Sequence, residues 1–234
     1  MKPLLVLAAF PVVLMGWASC SHSGTGHAAL PDPRAVDKSV PEYKNPFHPS
    51  TYAHFVARKD YRKTYDVYKD DTLLNRQPKK SRKIFVCLDE QRGQYLVDGL
   101  VAMDFPLSSG VKAYPTKTGD YAVISKKEDH TSNLYGKMYD AEGKCINYNA
   151  ESTDPIPEGG RFDGSPMPYW QRLTNAGLGL HVGEVRRHPV SHGCVRLPRN
   201  VAEILYRQTS IGTPVTIRKT PLPVPEAQKV PAVQ

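Results

Sequence analysis

Residues 180–198 read L-H-V-G-E-V-R-R-H-P-V-S-H-G-C-V-R-L-P, and they hold the strongest functional signal in the chain. Three imidazoles and one thiol lie within fourteen of these residues, although the whole chain contains only 8 His and 4 Cys. The four side chains are those of His181, His188, His192 and Cys194. This concentration predicts an active site, around which the rest of the domain is arranged.

A cysteine close to histidines is typical of acyl transfer through a thiolate. A free thiol is mostly protonated at neutral pH, so it needs a neighbouring imidazole to become a nucleophile. His192 stands two residues before Cys194 and shares a face with it if the segment is extended, while His181 ends a short apolar run. Gly193 lets the backbone turn and leaves amides free to face an oxyanion. These residues alone do not decide which imidazole takes the proton.

A zinc site is the alternative interpretation, because His188 and His192 are spaced i, i+4. That spacing brings two ligands together only on a helix, and both Pro189 and Gly193 oppose a helix here. The sequence around them also lacks the second Cys that is usual in a structural zinc site. We therefore predict that the site uses no metal, and we interpret His188 as an ordinary loop residue.

Upstream of this segment, the spacing of apolar side chains predicts a series of antiparallel strands. The predicted strands cover residues 84–88, 94–97, 101–107 and 121–125. Asp98-Gly99, between the second and third of them, is a strong signal for a tight hairpin. The sequence thus predicts that the domain begins as a β-meander.

The sequence that follows contains few further elements. Residues 126–170 are polar and irregular, and a loop of that length in a compact domain is usually functional. A short buried strand is expected at residues 179–182, a helix with Pro in its first turn at residues 198–206, and a closing strand at residues 214–217. The predicted fold class is mainly β (β-rich α+β), in one domain over residues 81–219 with one or two short helices.

The N-terminus reads as a signal peptide over residues 1–19, with one Lys, an apolar run and small residues at its end. The run is shorter than 18 residues, which disfavours a permanent transmembrane helix. Ala18-Ser19-Cys20 resembles a bacterial lipoprotein box with Cys20 lipidated, whereas Gly16-Trp17-Ala18 fits simple secretion. Both interpretations remain open, and both predict an exported protein.

The segments on either side of the domain are rich in Pro and polar residues. We interpret residues 20–80 as a linker and N-terminal extension, and residues 220–234 as a disordered tail. An oxidising compartment would allow a disulfide between Cys87 and Cys145. The residue pattern is equally consistent with an unpaired Cys87 buried on a strand.

The chain is basic, with 31 Lys and Arg against 23 Asp and Glu and a formal net charge of +8. Such an excess would suit an anionic partner. No nucleic-acid-binding signature accompanies these residues, so we expect no nucleic-acid partner. A solvated basic surface accounts for the charge.

Residues 191–197, Ser-His-Gly-Cys-Val-Arg-Leu, together with His181, resemble the signature of the L,D-transpeptidase (YkuD-like) family of bacterial peptidoglycan enzymes. The likeness covers roughly residues 83–218. Its other elements are Phe-Pro-Leu-Ser-Ser-Gly at 105–110, Thr-Lys-Thr-Gly-Asp-Tyr at 116–121, Met-Pro-Tyr-Trp at 167–170 and Gly-Thr-Pro-Val at 212–215. Two features depart from the family pattern: Lys117 replaces a Pro, and only nine residues separate His181 from Ser191.

The resemblance implies a mixed-sheet sandwich and gives the site residues unequal roles. It makes Cys194 the nucleophile and His181 the general base, oriented by the backbone carbonyl of Val182. It also implies that His192 lines the pocket and that amides near Gly193 form the oxyanion hole. The residues expected to contact substrate or to buttress the site are Ser191, Arg196, Tyr169 and Trp170.

The reaction implied by the resemblance is a two-step acyl transfer without a cofactor. The nucleophile would attack the amide between a diamino acid and the terminal D-Ala of a peptidoglycan stem tetrapeptide, and an amine of a second stem would resolve the thioester as a 3,3 cross-link. Stem peptides would be the partners of a monomer in the periplasm or cell envelope, and the membrane would be reached only through a lipid anchor. Hydrolysis of the same thioester, by a carboxypeptidase or amidase, and a non-catalytic wall-binding lipoprotein remain as alternatives.

Overall fold

The protein is built mainly from short β-strands, as described by a computed structural model over residues 29–78 and 81–232. The helices are α1 (Tyr52–Ala57), α2 (Asp71–Asn75) and α3 (Arg199–Gln208). The strands are β1 (Tyr68–Lys69), β2 (Arg82–Cys87), β3 (Arg92–Val97), β4 (Leu100–Pro106), β5 (Gly119–Ala122), β6 (Ser125–Lys127), β7 (Thr131–Tyr139), β8 (Cys145–Glu151), β9 (Arg161–Pro166), β10 (Trp170–Arg172), β11 (Gly179–Val182), β12 (Val195–Leu197) and β13 (Pro214–Arg218). The mainly β class is confirmed, with three helices in the described residues where the sequence predicted one or two.

Six strands form the first sheet, in the order β1-β4-β3-β2-β13-β5. Strands β2, β3 and β4 are antiparallel neighbours, as the alternation of apolar residues predicts. Asp98 and Gly99 join β3 to β4 with φ angles of 51° and 80°, which is the left-handed backbone that a tight hairpin requires. The closing strand β13 lies parallel to β2 and separates it from the edge strand β5.

The second sheet carries the residues singled out as an active site, in the order β12-β11-β10-β6. Its strands β11 and β12 are parallel, with His181 opposite Arg196. Helix α3 follows β12 directly, and its buried face shares one apolar cluster with both sheets. Members of that cluster include Ile84, Leu180, Val195, Leu205 and Ile217. The packing of these two sheets and α3 therefore fixes the strand ends at which the site lies.

A third sheet, β8-β7-β9, occupies most of the segment that the sequence predicted to be irregular. We call these three strands the cap sheet. The prediction was wrong: Ile146, Tyr148 and Ala150 on β8 do alternate with polar residues, but the Ile146 and Tyr148 side chains are exposed, so the alternation marks no buried face. Register shifts along β7 further interrupt its pairing with β8 and β9.

The N-terminal extension packs against the first sheet, although its composition predicted a linker. Tyr52 and Tyr61 are 1% and 2% exposed, and both hydroxyls donate to Asp104 Oδ2, at 2.7 and 2.9 Å. Asp104 lies on β4, is fully buried, and also binds Arg92 Nε and Gln94 Nε2. A buried ionic and hydrogen-bonded network thus attaches the extension to the domain.

The Pro-rich tail was predicted to be disordered. Its described residues, up to 232, instead pack against the domain. A single 3₁₀ turn, Glu226–Gln228, presents the buried Gln228 to the edge of β4. The Gln228 side chain accepts from the amide of Val101 at 2.8 Å and donates to its carbonyl at 2.9 Å. Phe47 forms a β-bridge with Pro231, so the tail and the extension also meet.

The structure decides between a disulfide and an unpaired Cys87, the two interpretations that the sequence left open. Cys87 and Cys145 are both free, so the disulfide is not formed, and Cys87 is a buried strand residue that donates to the Lys219 carbonyl at 3.0 Å. The predicted signal peptide and Cys20 lie outside the described residues. Within residues 29–78 and 81–232, no helix has the length and apolar character needed to cross a membrane.

Candidate active site

A pocket of about 730 Å³ opens between the second sheet, the cap sheet and the loop that precedes β5. It is lined by most of the residues that the sequence singled out: His181, Ser191, His192, Gly193, Cys194, Arg196 and Trp170. Tyr169 and His188 are not among the lining residues. The structure therefore brings the thiol and two of the three imidazoles to one cavity.

Strand register explains how these side chains meet. In the parallel pair β11 and β12, Leu180 faces Val195 and His181 faces Arg196. Cys194 immediately precedes β12, which places it level with Gly179 on β11. His181 and Cys194 therefore lie on neighbouring strands and are offset by two residues, a separation that side chains can bridge.

The imidazole of His181 is held in one orientation. It is 6% exposed, and its Nδ1 lies 2.8 Å from the carbonyl oxygen of Val182, as expected from the family resemblance. Because a carbonyl only accepts, Nδ1 carries the proton and Nε2 is left as the free acceptor. Burial lowers the pKa of His181 to about 4, and the charge of Arg196 acts in the same direction. His181 is therefore neutral at physiological pH.

The thiol of Cys194 is only partly accessible. Its Sγ donates to the carbonyl of Gly177 at 3.2 Å. Burial raises its pKa, while the amide of Gly179 and the charge of Arg196 oppose that rise. In the described residues no hydrogen bond joins Cys194 to His181, so the resting site holds a neutral thiol near a neutral imidazole.

Ser191 supports the turn that carries the thiol. It is 2% exposed, its Oγ donates to the carbonyl of Cys194 at 2.5 Å, and the same Oγ accepts from the amide of Gly193 at 3.2 Å. Gly193 has a φ of 109°, a conformation that favours glycine. Ser191 thus buttresses the turn, and the Gly193 amide expected in the oxyanion hole is directed at Ser191 in this resting state.

Thr116 holds the other side of the same turn. Its Oγ1 donates to the carbonyl of Gly193 at 2.6 Å and accepts from the amide of Gly110 at 2.8 Å. The contact needs glycine at position 110, because a Cβ there would lie 2.1 Å from the Tyr114 carbonyl and 2.8 Å from Gly193 Cα. Two segments that resembled the family in sequence therefore meet at the thiol loop.

We expect Thr116→Val to loosen this loop and to slow acylation of the thiol. The substitution keeps the shape of the side chain but leaves the Gly110 amide and the Gly193 carbonyl without their partner, which costs about 1–3 kcal/mol. Thermal unfolding and single-turnover acylation measure the two effects. Thr118→Val, two residues along on an exposed side chain, is the matched control and should leave both unchanged. Equal behaviour of the two variants would contradict this role of Thr116.

Several pocket residues were not found by sequence reasoning. Tyr135 lines the pocket and its ring is stacked on that of His192 at 4.5 Å, while the ring of Tyr114, outside the lining, lies 4.8 Å from the same imidazole. His130 lies 5.0 Å from the ring of Trp170, which in turn is 5.9 Å from His181. Tyr135 lies on β7 of the cap sheet, and His130 immediately precedes that strand. Both are far in sequence from Cys194, so no local motif could have linked them to the site.

Two sequence-predicted positions lie elsewhere. Tyr169 was expected to contact substrate, but its ring packs 5.6 Å from that of Tyr206 on α3. Tyr169 lies in the turn just before β10, with a left-handed φ of 56°, and this turn directs its ring toward α3 while Trp170 lines the pocket. His188 is exposed on a loop, with no helix between it and His192.

The comparison with protein families identifies the domain. A model described as the L,D-transpeptidase catalytic domain (YkuD) matches residues 81–217, more than half of the chain. The chain belongs to this family. The family match includes both segments that form the site, residues 108–121 and 179–197.

Three relatives illustrate the range of similarity. The probable L,D-transpeptidase 3 of Mycobacterium tuberculosis is 31% identical over 121 residues, which is 49% of this chain and 38% of that protein. An L,D-transpeptidase of Mycobacterium smegmatis has a TM-score of 0.46 and 21% identity, covering 59% of this chain and 58% of that one. One from Stackebrandtia nassauensis has a TM-score of 0.45 and 22% identity, covering 71% and 65%. The chain spans less than two thirds of each of these relatives.

Proposed function

We propose that this protein is a peptidoglycan L,D-transpeptidase in which Cys194 is the nucleophile and His181 the general base. The observation that carries the proposal is the convergence of this thiol and this imidazole on one pocket from neighbouring parallel strands. The fixed tautomer of His181 adds to it, because Nε2 is the nitrogen left free to accept a proton. The L,D-transpeptidase family is of the acyltransferase type, and the roles of these residues follow by analogy with it.

The first step transfers the thiol proton to His181. Cys194 Sγ releases the carbonyl of Gly177, turns toward the substrate, and gives its proton to His181 Nε2 as sulfur attacks the carbonyl of the diamino acid. Catalytic hydrogen bonds are often absent from a free enzyme and form only with substrate bound. The amide of Gly193, released from Ser191, and that of Cys194 stabilise the oxyanion.

In the second half of acylation, that proton passes from His181 to the leaving group. Because burial disfavours its charged form, protonated His181 is a stronger acid than a solvent-exposed imidazolium, and it protonates the nitrogen of the departing D-Ala. The C–N bond breaks and a thioester to Cys194 remains. An amine of a second stem then attacks the thioester, His181 removes its proton, and the thiol is regenerated with a 3,3 cross-link formed.

The proposal requires neither a metal nor an organic cofactor, since an oriented imidazole and a thiol supply each proton and the nucleophile. The substrate would be reached by export to the periplasm or cell envelope, either as a soluble protein or tethered through a lipidated Cys20. Stem peptides are the proposed partners, and the protein is proposed to act as a monomer.

Hydrolysis is the second candidate, favoured by the exposure of His192, which lines the pocket. Water that reaches the thioester there would release a tripeptide, as in a carboxypeptidase or an amidase. A non-catalytic wall-binding lipoprotein would leave the thiol unreacted. The two enzymatic functions give different products from one substrate, and the wall-binding protein gives none.

The test is incubation of the purified protein with a stem tetrapeptide, followed by mass spectrometry of protein and peptides. Transpeptidation gives a thioester adduct and a cross-linked dimer, whereas hydrolysis gives free tripeptide without dimer. A folded protein that forms neither adduct nor product would overturn both enzymatic proposals.

We expect His181→Gln to lower acylation by about 10²–10⁴-fold at pH 6, the usual effect of removing a general base. The wild-type rate should be level from about pH 5 to 8, because His181 titrates near pH 4 and burial raises the pKa of the thiol. Without the base the rate should rise about tenfold per pH unit, since only thiolate then reacts. His188→Gln is the matched control and should keep the wild-type rate and profile.

A level profile in His181→Gln, or an equal loss in His188→Gln, would show that another group takes the proton. His192→Gln would then be the next variant to measure.

A further inference from the structure

Arg187 combines two unfavourable features in the loop between β11 and β12. Its φ is 57°, in the left-handed region that such a side chain rarely adopts, and its buried Nε has no hydrogen-bond partner among residues 29–78 and 81–232. Strained backbone and unpaired buried groups persist only where the surrounding structure enforces them, and they concentrate at functional sites. Arg187 does not line the pocket, so any contribution to the reaction must act through other residues.

The guanidinium of Arg187 binds three backbone carbonyls, two of them in the N-terminal extension. Nη1 donates to the carbonyl of Thr64 and, at 3.4 Å, to that of Tyr61, and Nη2 donates to the carbonyl of Glu90 at 2.9 Å. Glu90 lies in the turn between β2 and β3. One planar side chain thus joins the β11–β12 loop to both the extension and the first sheet.

The turn between β2 and β3 is also tied to the extension by an ion pair. Both carboxylate oxygens of Glu90 accept from Arg34 Nη1, at 2.8 and 2.7 Å, and the two side chains are only 5% and 12% exposed. Arg34 Nε donates to the carbonyl of Leu222 in the tail at 3.0 Å. Glu90 is therefore held from two sides, by Arg34 through its carboxylate and by Arg187 through its carbonyl.

Hydrogen bonds continue from this turn to the thiol. The next residue, Gln91, accepts from the amide of Ser109 at 2.9 Å and donates to its Oγ at 2.8 Å. The carbonyl of Ser109 accepts from the amides of Val190 and Ser191, at 2.9 and 3.0 Å. The Ser191 side chain holds the turn that carries Cys194. A continuous series of contacts thus leads from the extension to the nucleophile.

The connection between β11 and β12 depends on support from outside itself. Parallel neighbours are usually joined by a crossover that holds a helix, but residues 183–194 contain neither helix nor strand. The exposed side chain of Arg186 binds Glu184 within the same loop. In the part of the chain that the structure describes, the hydrogen bonds between residues 183–190 and the extension all come from Arg187.

We propose that Arg187 is a positioning residue, through which the docked N-terminal extension holds the thiol turn in register with His181. The extension is then a functional part of the enzyme, and a weaker hold on the loop slows acylation. The inference rests on the proposed function, because this register matters only if Cys194 and His181 react together. A displacement of about 1 Å at the reacting groups can lower a rate by about 10²-fold.

The experiment compares Arg187→Asn with Arg186→Asn. Asparagine tolerates the left-handed backbone better than most side chains, so Arg187→Asn removes the guanidinium and keeps the turn. We expect it to lower kcat for acylation by a stem tetrapeptide by about ten- to hundredfold, with less than about threefold change in KM because Arg187 lies outside the pocket. Arg186→Asn is the matched control and should keep the wild-type kcat and KM.

Hydrogen exchange measures the order of the loop without a substrate. Amides of residues 190–194 and 61–64 should exchange faster in Arg187→Asn than in the wild type, while those of α3 should not change. Arg186→Asn should match the wild type in all three regions. Arg187→Lys keeps the charge but not the planar fork, so it should lie between the wild type and Arg187→Asn in both measurements.

The outcomes separate this inference from the proposed function. If the wild type is acylated, an unchanged kcat in Arg187→Asn, or a rise in KM alone, would overturn the inference and leave the proposed function standing. If no stem tetrapeptide acylates the wild type but Arg187→Asn loosens residues 190–194, the proposed function fails and the hold of the extension on the thiol turn stands. Should Arg187→Asn not fold, Arg187→Lys decides: a wild-type kcat overturns the inference, and a lower kcat with an unchanged KM supports it.

Discussion

Cys194→Ala should abolish acylation and every product that follows from it. Alanine cannot form the thioester, and removal of a covalent nucleophile typically lowers turnover by about 10⁴-fold or more. The fold should survive, because among the described residues the sulfur interacts with only two backbone groups, the Gly177 carbonyl and the Gly179 amide. The measurement is the rate of dimer and tripeptide formation from a stem tetrapeptide, with thermal unfolding recorded for the same preparation.

Cys145→Ala is the matched control for that experiment. Cys145 is a second partly accessible thiol, on β8 at some distance in sequence from the loop that carries Cys194. Its replacement should leave the rates of product formation unchanged. Retention of activity in Cys194→Ala, or its loss in Cys145→Ala, would contradict the assignment of the nucleophile.

Asp104→Ala should produce the largest loss of stability. Asp104 and Arg92 form an ion pair in which both side chains are 0% exposed. Removing one partner leaves an uncompensated buried charge, which typically costs about 3–5 kcal/mol of the free energy of unfolding. The hydroxyls of Tyr52 and Tyr61 lose their acceptor as well. Denaturant unfolding measures this loss directly.

The same variant should release the N-terminal extension before the rest of the domain. Limited proteolysis should cut Asp104→Ala within residues 31–76 at protease concentrations that leave the wild type intact. Glu203→Ala is the matched control, because its pair with Arg207 is solvent-exposed and such i, i+4 pairs contribute only about 0.3–0.5 kcal/mol. A loss of stability no larger than that of Glu203→Ala would show that the network does not hold the extension.

The site was predictable where its residues are close in sequence. Gly193 and Cys194 stand in one short loop with His192, and His181 ends the preceding buried strand, so their chemistry and spacing pointed to acyl transfer. Thr116 could be recognised only as part of a family resemblance, because its contact with Gly193 spans 77 positions. Tyr135 and His130 carry no signal at all in the sequence, since they reach the pocket through the folding of the cap sheet.

In the fold as well, elements specified by neighbouring residues were predictable, and those specified by distant residues were not. Asp98-Gly99 and the alternation around it specify β2–β4 locally, and these elements agree with the structure. Strand β8 was missed because its short alternation lies in a polar segment, and the side chains of Ile146 and Tyr148 are exposed where a strand signal expects a buried face. The extension was interpreted as a linker because Asp104, the partner that buries Tyr52 and Tyr61, lies more than 40 positions away in sequence.

The central claim is that Cys194 forms a thioester with the stem peptide, and peptide mapping of the trapped adduct tests it most directly. The protein is mixed with a stem tetrapeptide, quenched in acid within one turnover, digested, and analysed by tandem mass spectrometry. We predict a mass increase equal to the tetrapeptide minus its terminal D-Ala, located on the peptide that contains Cys194. A folded, substrate-binding protein that carries no such mass, or carries it on Cys87 or Cys145, would contradict the account.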